Sequence, residues 1–165
     1  MSLWLFILIQ FAVLAYAFVG GVFLAFSDFI MRSLAKTGGV EGVQAMQVIN
    51  REVFRWVFMT LFLGLVPISL IIVGYTATHL DGPVSVFMAV AGLTYLFGCF
   101  GVTLFFNVPM NETLAGMELD GSATHDYWTQ TYVPLWTFWN TVRTLACAVS
   151  SALLLCGLAL EATAC

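Results

Sequence analysis

Residues 127–160 read YWTQTYVPLWTFWNTVRTLACAVSSALLLCGLAL, and Arg143 is the only Asp, Glu, Lys or Arg among them. A helix needs about 20 mostly apolar residues to cross a bilayer, so this segment predicts a membrane-spanning helix. Three further segments, 1–27, 56–80 and 82–111, contain none of these charged residues. We therefore predict an all-α polytopic membrane protein, a four-transmembrane-helix bundle in one domain, 1–165, with helices near 3–28, 54–76, 84–107 and 133–159.

The composition agrees with a membrane protein and excludes several other classes. Of the 165 residues 61% are hydrophobic and 8% are charged, and the mean hydropathy is +0.99. A soluble domain carries about 25% charged residues, so a soluble enzyme is excluded. Five basic residues and a net charge of −4 exclude a nucleic-acid-binding protein. The lipid bilayer is thus the first expected partner, and the sequence leaves the number of copies in the assembly open, a homo-oligomer included.

The basic residues predict the orientation of the bundle. Arg32, Lys36, Arg51 and Arg55 all lie between the first and second predicted helices. Short loops rich in Lys and Arg stay in the cytoplasm, so we expect the 1–2 loop inside. With four spans, the 3–4 loop, near 108–132, is then also cytoplasmic and both termini are outside. We expect the bacterial inner membrane as the location.

Four residues of the fourth predicted helix are candidates for a buried site. Trp136, Trp139, Asn140 and Arg143 have offsets of 0, 3, 4 and 7, which places them on one helix face. If the helix enters the membrane near Pro134, Arg143 lies about 14 Å along it. Arginine does not lose its proton in proteins, so Arg143 is expected to face the bundle interior. It is then either part of a structural ion pair or a ligand-binding cation between aromatic walls.

Polar residues of the other three helices are expected at the same end of the bundle. Asn107 and Asn111 are one turn apart at the inner end of helix three, Asn50 and Arg51 precede helix two, and Asp28 ends helix one. We expect acceptors for Arg143 from other helices, with four candidate residues: Asn107, Asn111, Asn50 and Asp28. Because the outer halves of the helices are apolar, these residues predict a pocket open to the cytoplasmic side rather than a channel.

Two further patterns concern packing and metal binding. Ala17, Gly21 and Ala25 recur every four residues, which predicts a close contact of helix one with a neighbour. His79 and His125 fall on opposite sides of the membrane in the predicted topology, so they cannot share one haem. We predict no metal site from the sequence.

Four short pieces of the chain resemble the anthrone oxygenase family, whose members are small four-helix membrane proteins. They are FSDFIM at 26–31, AMQVINR at 45–51, NVPMN at 107–111 and WTFWNTVRT at 136–144. The resemblance implies oxidation of an anthrone to an anthraquinone by molecular oxygen, with no established cofactor. It also implies a histidine directly after the Trp139-Asn140 pair, where this chain has Thr141.

The implied chemistry assigns roles to the candidate residues. An anthrone needs aromatic walls, donors to its enolate oxygen and a base. The walls are Trp136 and Trp139, and the base candidates are His125, Asp28 and Glu112. The donors are Arg143, Asn140, Asn107 and Asn111, and the remaining substrate-binding candidates are Asn50, Arg51 and Asp28. The alternative is a non-enzymatic membrane protein that binds a lipid, quinone or haem-like ligand through the same residues, or supports a partner.

Overall fold

The computed structural model describes residues 2–38 and 40–163, and helices account for nearly all of them. Four helices are long and apolar enough to cross a membrane, and no strand occurs in the described part of the chain. The predicted all-α class with four membrane-spanning helices is confirmed. The helices are α1 (Leu3–Lys36), α2 (Glu41–Glu52), α3 (Trp56–His79), α4 (Gly82–Ala115) and α5 (Ser122–Thr163).

The four long helices alternate in direction and form a closed ring of neighbours. Helix α5 packs against α1 and α4, and α3 packs against α4 and α1, so every neighbouring pair is antiparallel. Their shared apolar core includes Leu5, Ile9, Leu65, Met88 and Leu154, all of them fully buried. This core is formed by residues of all four candidate membrane spans.

The long helices extend beyond the predicted spans at the end of the bundle where α2 lies, which we call the α2 end. Helix α1 continues to Lys36 and α4 to Ala115, whereas the predicted helices end at 28 and 107. Helix α5 begins at Ser122 instead of 133, and α2 was not predicted. Each 34-residue span is about 51 Å long, against a hydrocarbon core of about 30 Å. The hydropathy pattern marks only the part within lipid, because helix-forming polar residues continue the helices into water.

Helix α2 closes this end of the bundle over a second apolar core. Its Met46 packs with Met31 of α1, Leu114 of α4 and Trp128 of α5. The side chain of Gln47 donates from Nε2 to the Leu114 and Met117 carbonyl oxygens, at 2.8 and 3.3 Å. These bonds satisfy carbonyls that the end of a helix leaves without a partner. A Cβ at Gly42 would collide with the Leu34 carbonyl, so only glycine allows α2 to approach α1 this closely.

Wide π-helical turns interrupt three of the long helices. They occupy Phe26–Ile30 in α1, Tyr95–Gly101 and Thr103–Asn107 in α4, and Tyr127–Tyr132 in α5. Such turns add residues to a helix without breaking it and often occur at functional sites. Ser27, Asn107 and Tyr132, which take part in the polar network described below, all lie within these turns.

The close contact of α1 with α5 is made by a different glycine from the predicted one. Ala17 and Gly21 are exposed, and nothing lies within 4 Å of a Cβ placed at Gly21. At Gly20 the same Cβ would lie 2.9 Å from Cys147 Cβ. The predicted face was wrong because lipid-facing positions of a membrane helix also tolerate small residues, so a four-residue repeat does not identify the packed face.

Candidate functional site

The guanidinium of Arg143 is enclosed in the interior of the bundle, toward the α2 end. The residue is only 5% exposed, and its Cζ lies 4.2 Å from the Phe23 ring centre and 5.2 Å from that of Trp136. The predicted burial is thus confirmed. Aromatic faces at these distances attract a cation and shield it from lipid.

The hydrogen-bond partners of Arg143 are neutral. Nη2 donates to Asn140 Oδ1 at 2.7 Å, and Nη1 donates to Thr103 Oγ1 of α4 at 3.3 Å. Among the residues that the structure describes, no carboxylate pairs with this cation. The expectation that its acceptors come from Asn107, Asn111, Asn50 or Asp28 was wrong. Asn50 and Asn111 bond to Tyr132 instead, Asn107 donates to the Trp136 carbonyl, and Asp28 is exposed.

Asn140 connects Arg143 to helix α1. Its Nδ2 donates to the Phe23 carbonyl oxygen at 2.6 Å and to Ser27 Oγ at 2.7 Å. The orientation of the amide is fixed by its partners, since arginine only donates and a carbonyl only accepts. Asn140 is fully buried, so both of its amide hydrogens and its oxygen are used within the protein.

A second network lies on the α4 side of Trp136. Asn111 Oδ1 accepts from Tyr132 Oη at 2.7 Å and from Trp136 Nε1 at 2.8 Å. The hydroxyl of Tyr132 in turn accepts from Asn50 Nδ2 at 3.2 Å, and Asn107 Nδ2 donates to the Trp136 carbonyl at 3.2 Å. The structure therefore brings Asn50, Asn107 and Asn111 together around one face of α5, as the spacing predicted.

Several buried polar atoms next to these networks have no hydrogen-bond partner within the described chain. They are Arg143 Nε, Asn107 Oδ1 and Thr137 Oγ1. A buried polar group without a partner costs about 1–3 kcal/mol. Such groups are rare in natural proteins and often mark a functional site.

A groove of about 450 Å³ runs between α1 and the first half of α5. Its lining residues are Ser27, Met31, Arg32, Ala35, Val133, Pro134, Thr137, Phe138 and Thr141. Ligand sites typically enclose ~300–1,000 Å³, so the groove is large enough for a small aromatic molecule. Ser27, which lines the groove, accepts a hydrogen bond from Asn140, so one hydrogen bond connects the groove to Asn140. Thr141 Oγ1 lies 3.0 Å from Ser27 Oγ.

Four further predicted site residues lie apart from Arg143: Trp139, Asp28, Arg51 and His125. Trp139 is half-buried, and its ring stacks on Phe106 with 3.7 Å between centres. An offset of three residues turns it about 60° away from Trp136, toward α4. Asp28 and Arg51 are exposed, and neither lines the groove.

His125 is the most distant of the predicted catalytic residues. It is exposed at the start of α5 and lines a separate cavity of about 300 Å³ beside Leu119 and Asp120. Eighteen residues separate it from Arg143, which is about 27 Å along a helix. His125 therefore does not reach Arg143. The described residues contain no group of three or more His, Cys, Asp or Glu side chains placed to hold a metal ion.

Sequence reasoning missed four members of the network: Phe23, Thr103, Ser27 and Tyr132. Tyr132 precedes Trp136 by four residues and Asn140 by eight, so extending the same helix face by one turn would have found it. Ser27 stands beside the candidate Asp28, but its own hydroxyl was not assigned a role. Nothing in the sequence distinguishes Thr103 and Phe23 as site residues, since Thr and Phe are common residues of membrane helices.

Comparison with family models identifies the family of the chain. The model of the anthrone oxygenase family matches residues 51–153, which is more than half of the chain. The chain belongs to the anthrone oxygenase family. The match includes Asn107, Asn111, Asn140 and Arg143, whereas Ser27 and Asn50 lie outside the matched residues. Searches of curated proteins and of solved structures find no significant match.

Proposed function

We propose that the protein is an oxygenase that oxidises a flat aromatic ketone of the anthrone type with molecular oxygen. The substrate lies in the groove between α1 and α5. Membership of the anthrone oxygenase family supports this proposal at the level of the family. The buried cation beside the groove supports it at the level of the chemistry.

The reaction passes through an anion. The ring CH₂ opposite the carbonyl of an anthrone is acidic, because its conjugate base is an aromatic enolate. The CH₂ proton passes to solvent, oxygen adds to the electron-rich carbon of the enolate, and the resulting peroxide anion takes up a proton to form a hydroperoxide. Loss of water then leaves the second carbonyl of the anthraquinone. One anthrone and one O₂ give one anthraquinone and one water, so the substrate supplies all four electrons and the reaction needs no external reductant. The enzyme's main task is to stabilise the enolate.

The observation that carries the proposal is the absence of a counter-ion for Arg143 within the described chain. Burial of a cation costs several kcal/mol even after the protein relaxes, and Asn140 and Thr103 offer only neutral oxygens. A site with positive potential that the protein does not neutralise is suited to an anion that forms during the reaction. Preorganised groups of this kind stabilise a transition state in which negative charge develops.

The walls of the groove suit an apolar planar molecule with one polar edge. Met31, Val133, Pro134 and Phe138 supply the apolar surface, Arg32 is the charged residue of the lining, and the Ser27 hydroxyl bonds to Asn140. An anthrone dissolves in the bilayer and can enter between α1 and α5 without crossing water. The groove therefore combines access from lipid with proximity to the buried cation.

The test is oxygen uptake with anthrone by the purified protein in nanodiscs. We expect uptake above the uncatalysed rate, and a fall in kcat of about 100- to 1,000-fold in Asn140→Ala and Arg143→Gln, the typical effect of removing one stabilising donor. Arg55→Gln is the matched control, because Arg55 is exposed and pairs with Glu52 on the surface.

The rival function gives a different result in the same preparation. If the parent protein consumes no oxygen above the background but binds a quinone or a lipid in a manner that depends on Arg143, it is a binding protein and the oxygenase proposal is wrong.

A further inference from the structure

We propose that Ser27 is the catalytic residue that touches the substrate, by donating its hydroxyl hydrogen to the carbonyl oxygen that becomes the enolate. This inference rests on the proposed oxygenase function and names the group in contact with the substrate. It assigns Asn140 and Arg143 a different role, which is to polarise Ser27 from behind.

The hydrogen of the Ser27 hydroxyl is available for a ligand. Ser27 Oγ accepts from Asn140 Nδ2 at 2.7 Å. The hydroxyl of Thr141 lies 3.0 Å from Ser27 Oγ and 2.9 Å from the Thr137 carbonyl, so it has one hydrogen for two acceptors. When Thr141 donates to Ser27 Oγ, the hydrogen of Ser27 has no acceptor among the described residues; when Thr141 donates to the Thr137 carbonyl, Thr141 Oγ1 can accept that hydrogen, and a ligand oxygen competes with it. Ser27 lines the groove, and a ligand there can accept this hydrogen.

The cation increases the donor strength of this hydroxyl. Arg143 donates to Asn140 Oδ1, and Asn140 donates to Ser27 Oγ, so two consecutive bonds run from the guanidinium to the groove. Each bond in such a chain polarises the next, and the effect is greatest where water is excluded. Through this chain the positive charge of Arg143 makes the Ser27 hydrogen more positive, although the guanidinium itself does not reach the groove.

The same geometry defines the class of ligand. Phe23, Trp136 and Asn140 enclose the guanidinium, so a phosphate or carboxylate head group cannot form the paired contacts with Arg143 that such anions normally make. The groove is lined mostly by apolar residues, together with the hydroxyl residues Ser27, Thr137 and Thr141 and the exposed Arg32. Because Ser27 bonds to the Asn140 side chain, we assign the contact at Ser27 to the ketone oxygen of a neutral aromatic substrate that becomes an oxyanion.

This contact favours the transition state over the bound ketone. A hydrogen bond from a polarised donor strengthens as negative charge grows on the oxygen. The binding of the neutral substrate depends mainly on the apolar walls, which contact the ketone and the enolate equally. Loss of the hydroxyl should therefore lower kcat and leave KM nearly unchanged.

The experiment compares Ser27→Ala with Ser33→Ala in nanodiscs, with oxygen uptake from anthrone as the readout. Ser33 lies on the same helix but bonds to the Phe29 carbonyl and is exposed. We expect kcat to fall about 100- to 1,000-fold in Ser27→Ala, with KM nearly unchanged, and no change in Ser33→Ala. Full kcat in Ser27→Ala while the parent is active overturns the role of Ser27 and leaves the oxygenase function standing.

Two further measurements distinguish contact with the substrate from a role in folding. Under anaerobic conditions, the absorbance of bound anthrone reports its ionisation, and its pKa should be higher in Ser27→Ala than in the parent. An unchanged pKa overturns the proposal. If Ser27→Ala does not fold, Ser27→Thr keeps the hydroxyl and should retain turnover, and a folded but inactive Thr variant also overturns it.

The double variant tests the chain of bonds. Because Ser27 acts through its bond with Asn140, the two substitutions should not be additive, and Ser27→Ala should add little to the loss already caused by Asn140→Ala. If instead the kcat losses of the two single variants multiply in the double variant, Asn140 acts on the substrate independently of Ser27. A parent protein without oxygen uptake would instead refute the proposed function, whatever the variants do.

Discussion

At the scale of single residues, Arg143 carries a cost in stability that its surroundings do not remove. It is 5% exposed and bonded only to neutral oxygens in the described chain. Replacement of buried charged groups by apolar residues of similar volume is often neutral or stabilising. A residue that contributes little to stability, yet lies at the centre of the polar network, is better explained by chemistry than by folding.

This reasoning predicts that Arg143→Met keeps the fold. The substitution leaves Asn140 Oδ1 without its donor, which costs about 1–3 kcal/mol. It also removes the cation–π contacts with Phe23 and Trp136, worth ~0.5–2 kcal/mol each, and a desolvation cost of several kcal/mol, whose removal offsets these losses. We expect the midpoint of thermal unfolding in detergent, followed by tryptophan fluorescence, to be equal to or above that of the parent, with turnover lost. A clear fall in the midpoint, not seen with the exposed control Arg55→Met, would mean that Arg143 is structural.

The position and burial of Arg143 follow from the sequence, but its partners do not. A permanent charge within an apolar span must face protein, and this alone predicts the interior location. Its partners are the side-chain oxygen of Asn140 on the same helix and the Thr103 hydroxyl on α4, and Asn140 in turn bonds to Ser27, 113 residues away in the chain. Threonine and serine are ordinary residues of membrane helices, so only the packing of the helices shows which of them reach the guanidinium.

At the scale of helices, the α1–α5 contact holds the site together. Ser27 is on α1 and Asn140 on α5, so their hydrogen bond depends on how closely the two helices approach each other. The closest approach found for a glycine of α1 is at Gly20, opposite Cys147. Two turns of α1 separate Gly20 from Ser27, so a shift at the first position is transmitted to the second.

Adjacent glycines on α1 provide a matched test of this contact. A Cβ at Gly20 would lie 2.9 Å from Cys147 Cβ, whereas a Cβ at Gly21 meets nothing within 4 Å. We expect Gly20→Ala to lower stability by about 1–3 kcal/mol, the usual cost of overpacking, and to reduce turnover with anthrone. Gly21→Ala should be neutral or slightly stabilising, since alanine favours a helix over glycine. Equal thermal midpoints and equal turnover in the two variants would contradict a tight α1–α5 interface.

The membrane-spanning helices are predictable, whereas their extensions are not. An uncharged, mostly apolar segment of about 20 residues is expected to cross the bilayer, and this rule predicts the four spans. The residues of α2 and of the ends of α1, α4 and α5 lie beyond the apolar spans, where polar side chains are permitted and hydropathy gives no signal. The groove lies where the span of α5 meets its extension, so its location also had to come from the structure.

At the scale of the whole molecule, the exposed basic residues and the groove lie at one end of the bundle. Arg32, Lys36, Arg51 and Arg55 all belong to the α2 end or to the segments that adjoin it. The opposite end turns from α3 to α4 through Leu80 and Asp81 alone, with no basic residue. The positive-inside bias therefore predicts that the α2 end faces the cytoplasm. In that orientation the groove lies at the level of the inner leaflet, and a membrane-dissolved substrate made in the cytoplasm enters it directly.

The orientation can be tested by cysteine labelling at Lys36 and Asp81, both of which are exposed. Cys99 and Cys147 are buried and should not react, so Lys36→Cys or Asp81→Cys is introduced after Cys156 and Cys165 are replaced by serine. A membrane-impermeant maleimide added to intact bacterial cells should label position 81 and not position 36, because the positive charges near the α2 end, three of which remain in Lys36→Cys, oppose its transfer across the membrane. Inverted membrane vesicles should give the reverse pattern. Labelling of position 36 from outside the cell would place the groove in the outer leaflet, and the substrate would then have to reach the enzyme from that side.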